Sequence, residues 1–162
     1  MSGRYRNVLL AAAAALTAMA VAQAATVAGS EADARKAIEA RQDVFKQIKD
    51  LNDPMGKMLR RQAPMDPAQV ATNAAKIQQL AGEIPGHFAI DTRNFKDIKT
   101  RALDGIWNSE ADFKAKADVL VKAAGDAVAA GKSGDAGATQ KSLIALGKAC
   151  GNCHDSYKAS AD

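Results

Sequence analysis

The chain is poor in the residues that stabilise disulfide-rich or all-β domains. It holds 2 cysteines and 4 prolines in 162 residues, and aromatic residues make up only 4%. Two cysteines cannot form the disulfide framework of a small secreted scaffold. Few β-branched residues and 37 alanines argue against an all-β fold. A charged fraction of 25% beside 48% hydrophobic residues is typical of a folded chain, and the length suits one domain.

The chain also lacks a strong excess of charge of one sign. Its formal net charge is +4, and its longest basic run is Arg60-Arg61, with no aromatic residues interleaved. A nucleic-acid interface needs a concentrated basic surface, because phosphate neutralisation supplies most of its affinity. We therefore expect no nucleic-acid partner.

Residues 1–24 have the pattern of a cleaved export signal. Arg4 and Arg6 precede the uncharged run Val8–Val21, and Ala22-Gln23-Ala24 offers the small-x-small pattern that signal peptidase reads. The uncharged run is about 14 residues, which is short for a hydrocarbon core roughly 30 Å thick. We predict cleavage after Ala24 or one residue later, and no membrane attachment afterwards; an uncleaved membrane anchor is the alternative. Export without a disulfide framework favours the periplasm of a Gram-negative bacterium.

Apolar residues at helical spacing predict four helices after the export signal. Their approximate bounds are 31–61, 67–84, 103–130 and 135–158. Ser30 and Asp66 are suitable N-caps, and the second helix is expected to end before Pro85. Pro54 predicts a kink or a restart within the first helix. Four amphipathic helices with one long connection predict an all-α fold, an antiparallel four-helix bundle.

The strongest motif in the chain is Cys150-Gly151-Asn152-Cys153-His154, near the end of the fourth helix. This C-x-x-C-H spacing is the attachment pattern of c-type haem. Two thiols three residues apart share one face of a helix, so each can add to one haem vinyl group. His154 follows Cys150 by four residues and points the same way, so its imidazole can ligate the iron. The sequence predicts one covalently attached haem c within residues 25–162.

Three other interpretations of the cysteines are weaker. A thioredoxin-like pair lies at a helix N-terminus after a strand, whereas this pair lies near the end of a helix in a chain without predicted strands. A zinc site needs a fourth ligand, and the only other histidine is His87. A chance occurrence of the spacing between two structural cysteines is the third alternative.

Further residues accompany the motif and indicate a family. They are Arg41-Gln42-x-x-Phe45, the turn Ala63-Pro64-Met65-Asp66, Thr100-Arg101-Ala102-Leu103 followed by Ile106-Trp107, and Lys158. With a C-x-x-C-H motif at the C-terminal end of an exported helical chain, they resemble the cytochrome c prime family of class II c-type cytochromes. The resemblance covers about residues 31–158. The chain departs from it at Asp104, where the family often has proline, and at Asn52-Asp53-Pro54.

The resemblance implies roles for individual side chains. Phe45 would lie over the iron in the distal pocket, and a phenyl ring has no lone pair to donate, so the iron would be five-coordinate with His154 as its axial ligand. Arg41 and Gln42 would hydrogen-bond a haem propionate, as charge-assisted donors do. Thr100 would contact the haem.

At two further positions the resemblance implies a role, but another explanation fits the residue equally well. Trp107 would lie near the haem edge, where it could equally be a packing residue. Lys158 would adjust the charge on the side of the haem that His154 occupies, although a lysine at a helix end is also favoured by the helix dipole.

In function, the resemblance implies a protein that binds NO and CO, transfers electrons to and from unidentified redox proteins, or does both. Members of the family often form homodimers through their first two helices. No general base, oxyanion arrangement or second metal cluster is recognisable, so we expect no enzymatic turnover. A peroxidase is disfavoured because no distal Arg–His pair is recognisable.

The alternative function is a six-coordinate, low-spin electron carrier of the same family. Its sixth iron ligand would be His87 or a displaced methionine. Met55 and Met58 lie 10 and 13 residues beyond Phe45, roughly 15–20 Å along a straight helix, so neither is expected to reach iron beneath Phe45. Met65 lies in a turn and is no better placed.

Overall fold

The structure is a computed structural model that describes residues 24–160. The predicted export signal lies almost wholly in residues 1–23, outside the described part, so it stays a prediction. Within the described residues, no helix is long and apolar enough to cross a membrane.

Four long helices form the body of the molecule. The elements in chain order are β1 (Thr26–Val27), α1 (Glu31–Leu59), α2 (Pro67–His87), β2 (Ile90–Asp91), α3 (Gly105–Asn108), α4 (Glu110–Lys132) and α5 (Ala136–Tyr157). The long helices α1, α2, α4 and α5 correspond to the four predicted ones. The fold class predicted from the sequence, an all-α four-helix bundle, is confirmed.

The long helices run antiparallel to their sequence neighbours. Asn73, near the start of α2, donates to the Leu51 carbonyl late in α1 at 3.0 Å. Phe113, at the start of α4, meets Tyr157 at the end of α5. The most extensive helix contacts join α2 to α4, followed by α4 to α5 and α1 to α2, whereas α1 and α5 contact each other little. The α1–α5 seam is thus the loosest lateral interface of the bundle.

The helix starts follow the capping signals in the sequence. The Ser30 side chain accepts a hydrogen bond from the Asp33 amide, Asp66 accepts from Gln69, and Asp135 accepts from Ala138. Each cap satisfies an amide that has no partner within the first turn. The predicted starts of α1, α2 and α5 are therefore confirmed.

Two expectations about helix bounds are wrong, the first of them in part. First, α1 continues through Pro54, so no restart is formed, while the alternative of a kink stays a prediction. Second, α2 continues through Pro85 to His87, because a proline in the last turn removes only one intrahelical hydrogen bond.

The third predicted helix is divided in two. The short α3 ends at Asn108, and Ser109, with φ −140° and ψ 51°, interrupts the helix before α4 begins. A hydrophobic pattern alone does not show this break, because Ile106, Trp107 and Phe113 are all buried on the same side of the chain.

The connection between α2 and α4 pairs with both ends of the described chain, which the sequence does not predict. Thr26 and Val27 pair in parallel with Ile90 and Asp91. At the other end of the connection, Ala102 forms an antiparallel bridge with Lys158. The first pairing holds the long connection against the N-terminal segment, and the second holds it against the end of α5.

Candidate functional site

The two cysteines of the C-x-x-C-H motif lie on α5 as free thiols. Cys150 and Cys153 are half-buried and pack against the hydrophobic core. Burial raises the pKa of both thiols, so both are protonated at neutral pH. A neutral thiol can add across a vinyl group to form a thioether, with its proton going to the second vinyl carbon, and no oxidant is needed. This pair therefore fits covalent haem attachment.

His154 follows directly and is suited to bind a metal. Burial lowers the pKa of its imidazole, and the positive charges of Lys158 and Arg101 lower it further. A metal-bound histidine must be unprotonated at the ligating nitrogen, and these neighbours favour that form. Cys150, Cys153 and His154 together supply the attachment points and the axial ligand that a c-type haem needs.

Phe45 lies on α1 and is 37% exposed, which is unusual for a large aromatic residue in this small bundle. Its ring centroid lies 6.3 Å from that of Phe88, at an interplanar angle of 60°. Phe45 and the motif thus lie on α1 and α5, two long helices that contact each other little.

Phe88 is the centre of an aromatic cluster, whose members are Phe45, Phe88, Trp107, Phe113 and Tyr157. Its ring centroid lies 6.0 Å from Trp107 and 4.9 Å from Phe113, and Phe113 lies 5.2 Å from Tyr157. The cluster runs from α1 to α5, ending one turn beyond Cys153. Sequence reasoning missed Phe88 because it follows α2 in a connection without periodicity. The one signal in the sequence that points to Phe88 is that it is one of the few aromatic residues of the chain.

Arg41 has partners other than the propionate that the resemblance implies. It is 3% exposed. Its Nε donates to the His87 carbonyl at 2.9 Å, its Nη1 donates to Thr92 Oγ1 at 3.0 Å, and its Nη2 donates to the Ile90 carbonyl. Burial lowers the pKa of Arg41 to about 10, an effect that Asp91 partly opposes. The side chain is thus a buried cation at neutral pH, bound to residues 87–92.

A second arginine stabilises the same connection from its outer side. Arg93 contacts both carboxylate oxygens of Asp91 and donates to Asn108 Oδ1 at 2.6 Å. The Arg93 hydrogen bonds hold the pKa of Asp91 below its ordinary value, although burial opposes the shift. Trp107 completes the arrangement by donating its Nε1 hydrogen to the Phe88 carbonyl at 3.0 Å.

The remaining predicted residues lie around these groups. Gln42 is exposed on α1, and Thr100 is exposed in the connection, where its hydroxyl accepts from the Ala102 amide at 3.2 Å. Lys158 bridges to Ala102 through its backbone. His87 is half-buried in the last turn of α2, directly before Phe88.

The methionines of α1 lie in the core. Met55 is 1% exposed and Met58 is 6% exposed, and both belong to the main hydrophobic cluster. Met65 is partly buried against the same cluster. Their packing agrees with the expectation that these three residues are structural.

Comparison with known proteins gives the family. The family model described as Cytochrome C' matches residues 36–158. The chain belongs to the cytochrome c prime family. Cytochromes c prime carry a covalently attached c-type haem, so the predicted haem c cofactor is confirmed at the level of the family. This membership also makes the protein a c-type cytochrome, a haem protein of a class associated with electron transfer and gas binding.

Individual cytochromes c prime are similar over most of their length. The one from Rubrivivax gelatinosus is 34% identical over 122 residues, which cover 75% of this chain and 93% of that protein. The solved structure from Shewanella frigidimarina has a TM-score of 0.70 and 32% identity, covering 78% of this chain and 97% of that one. A ferrous variant from Alcaligenes xylosoxidans with bound NO has a TM-score of 0.69 and 25% identity, covering 79% and 97%.

Proposed function

We propose that the protein is a periplasmic cytochrome c prime that binds NO and CO at a five-coordinate haem iron, transfers electrons, or does both. Cys150 and Cys153 hold the haem through thioether bonds, and His154 is the one axial ligand that the protein supplies. The observation that carries this proposal is the aromatic cluster, which links Phe45, a residue without a ligating atom, through Phe88 and Phe113 to Tyr157, one turn beyond Cys153. The NO-bound relative from Alcaligenes xylosoxidans supports the gas ligand.

When bound, the haem supplies the iron that accepts a gas molecule or an electron. The residues of the chain fix its position and surroundings. Two attachment points three residues apart on α5 hold the macrocycle against one helix face, and His154 on that face presents its imidazole. Lys158 and Arg101 favour the unprotonated imidazole, because each adds positive charge beside it.

Phe88 lies against Phe45, and neither side chain carries a hydrogen-bond donor. Arg41, one turn earlier on α1, directs its guanidinium to residues 87–92. Bound oxygen carries partial negative charge and needs a hydrogen-bond donor, whereas NO and CO bind in apolar surroundings. This pocket therefore favours NO and CO over oxygen. We propose no enzymatic turnover, because cytochromes c prime are haem proteins of electron transfer and gas binding.

The alternative is a six-coordinate, low-spin electron carrier. Met55 and Met58 are core residues of α1, so a methionine ligand would require α1 to refold. His87 is the remaining candidate, because it precedes Phe88 and Phe88 contacts Phe45. The His87 carbonyl accepts a hydrogen bond from Arg41, which fixes the backbone from which the imidazole would have to reach the iron.

The test is a spectrum of the holoprotein produced in cells that mature c-type cytochromes. We expect a high-spin ferric form, a ferrous form that takes up CO and NO, and an intact mass that includes one haem. Phe45→Met should give a six-coordinate, low-spin spectrum, since a thioether then faces the iron. Met58→Leu is the matched control and should leave the spectrum unchanged. A low-spin wild-type spectrum that His87→Ala converts to high spin would establish the alternative instead.

Export is tested on the same material. We propose that the mature chain begins at Ala25, resides in the periplasm and meets its redox partners there, with a homodimer as its expected assembly. Fractionation and N-terminal mass analysis should find Ala25 as the first residue. Recovery of residues 1–24 on the haem-loaded protein in a membrane fraction would support the uncleaved anchor.

A further inference from the structure

We propose that Arg41 is a positioning residue that holds Phe88 against Phe45 and thereby slows the access of gases to the haem iron. This inference rests on the proposed gas-binding function. It gives Arg41 a role different from the propionate contact that its family position implies.

Arg41 fastens the segment that carries Phe88 at three points. Its donors reach the carbonyls of His87 and Ile90 and the hydroxyl of Thr92. These acceptors lie on both sides of Phe88 in the chain. The backbone around Phe88 is therefore held from before the residue to four positions after it, by charge-assisted hydrogen bonds in a buried environment.

Arg41 also contacts the Phe88 ring itself. The guanidinium carbon lies 4.6 Å from the centroid of Phe88 and 5.2 Å from that of Trp107. Both distances are in the range of a cation–π interaction. Since Trp107 donates to the Phe88 carbonyl and Phe113 lies against the Phe88 ring, Phe88 is held by contacts on several sides.

The position of Phe88 limits the movement of Phe45. The two rings are neighbours, and Phe45 is one turn beyond Arg41 on α1, so one helix carries both the fastening residue and the ring that Phe88 contacts. With Phe88 fixed, Phe45 cannot move toward Phe88, whereas its solvent side, where it is 37% exposed, stays open. Loosening Phe88 would open a second direction for this movement, and a gas would reach the iron more often.

A propionate contact would compete with these bonds. Turning the guanidinium toward a haem carboxylate would leave the carbonyls of His87 and Ile90 without a strong donor in a part-buried site, which is unfavourable. Gln42 is exposed on the next position of α1 and remains available for a propionate. Arg41 would then hold residues 87–92, and Gln42 would contact the propionate.

The experiment compares Arg41→Met with Arg93→Met in the ferrous holoprotein. Arg93 is the matched control, because its guanidinium carbon also lies near Trp107, at 5.6 Å, but its hydrogen bonds go to Asp91 and Asn108. We expect Arg41→Met to raise the CO association rate about tenfold. The loss of one charge-assisted hydrogen bond lowers the free-energy barrier by an amount that corresponds to about this change in rate. Arg93→Met should raise the rate less than Arg41→Met does, because it removes the partner of Asp91 alone and leaves the His87 and Ile90 carbonyls bound to Arg41.

Two further variants and one further measurement complete the test. Arg41→Lys should restore part of the slow association, and Thr92→Val, which removes a single acceptor, should give an intermediate rate even if Arg41→Met fails to fold. Hydrogen exchange of the amides in residues 88–92 should be faster in Arg41→Met than in Arg93→Met. This readout does not depend on gas binding.

The outcomes separate the two proposals. If wild type takes up no CO, the proposed gas-binding function fails, while hydrogen exchange still decides whether Arg41 fastens the segment. Unchanged CO rates and unchanged exchange in Arg41→Met, together with a shifted haem reduction potential, would overturn this inference and establish the propionate contact.

Discussion

The two ends of the bundle are built from different kinds of residue. At the end where α2 starts and α4 finishes, which we call the alanine end, the helices meet through small residues such as Ala74, Ala124, Ala127 and Gly131, all buried. At the end where α2 finishes and α4 starts, which we call the aromatic end, lie the aromatic cluster, two arginines and the long connection. The predicted haem residues of α5, Cys150, Cys153 and His154, belong to the aromatic end.

The difference shows how one small bundle separates stability from function. Small residues let helix backbones approach closely, so the alanine end gains packing density. The aromatic end contains a buried cation, a long connection and a loose α1–α5 seam. Each of these lowers the stability of the fold unless other interactions compensate for it. The compensation is visible in the hydrogen bonds of Arg41, Arg93 and Trp107.

The largest predicted effect falls at the alanine end. A Cβ atom at Gly131 would lie 2.5 Å from the Pro67 carbonyl oxygen and 2.7 Å from the Ala71 nitrogen. Gly131→Ala should therefore lower the free energy of unfolding by about 3 kcal/mol, because backbone atoms must move apart. Chemical denaturation measures the loss, and the haem spectrum should stay unchanged.

Gly125→Ala is the control on the same helix. There a Cβ atom would meet the end of the Gln78 side chain at 2.8 Å, and that side chain can move aside. We expect no loss and a gain of up to about 1 kcal/mol from helix propensity. Equal destabilisation by the two variants would contradict the claim that close helix approach at Gly131 stabilises this end.

A smaller effect is predicted at the aromatic end, for Tyr157→Phe. The Tyr157 hydroxyl donates to Asp112 Oδ2, and Tyr157 is 7% exposed. Losing this hydrogen bond should cost about 1.5 kcal/mol, because the acceptor is charged but can be rehydrated. Thermal or denaturant unfolding at neutral pH measures the loss.

The same residue predicts a pH dependence. Burial and the Asp112 acceptor raise the pKa of Tyr157 to about 12, above the ordinary value of 10.0. A raised pKa means that the protonated phenol stabilises the fold at pH values below 10, and that this contribution is lost as the pH rises toward 12. Wild type should lose stability in that interval, and Tyr157→Phe should lose less. Parallel pH profiles for the two proteins would show that this hydrogen bond is not formed.

Much of the fold could be predicted because its signals are local. Asp66-Pro67 specifies a helix start within four residues, since a side-chain cap and a proline at the first position satisfy the same terminal turn. The C-x-x-C-H motif is equally local, because one turn of helix brings its three side chains to one face. These features need no knowledge of the rest of the chain.

The contacts of the aromatic end could not be predicted, because they join distant residues. Arg41 lies 46 to 51 positions before the groups that it binds, and nothing in Arg41-Gln42-x-x-Phe45 distinguishes a propionate from a backbone carbonyl as its acceptor. The pairing of Thr26 with Ile90 also joins residues that are far apart in the sequence. Two residues are too few for an alternating pattern, so a strand of this length leaves no periodic signal.

The smallest predicted effect concerns how the start of the mature chain is fastened to the aromatic end. The Ala25 nitrogen donates to Glu110 Oε1 at 3.2 Å, beside the β1–β2 pairing. If cleavage follows Ala24, this nitrogen becomes an ammonium group and the contact becomes an ion pair. Because the pair is exposed, Glu110→Gln should lower stability by less than about 1 kcal/mol, and high salt should remove the difference.

Two controls show whether this effect belongs to the new terminus. Glu39→Gln changes an exposed carboxylate on α1 and should have no salt-dependent effect. A chain extended by two residues before Ala25 displaces the charge, so in it Glu110→Gln should have a smaller effect than in the processed chain. An equal effect in both chains would assign the stabilisation to Arg93, which also lies near Glu110. The charged side chains of the aromatic end would then stabilise it without the ammonium group of Ala25. The β1–β2 hydrogen bonds would be sufficient to hold the N-terminal segment.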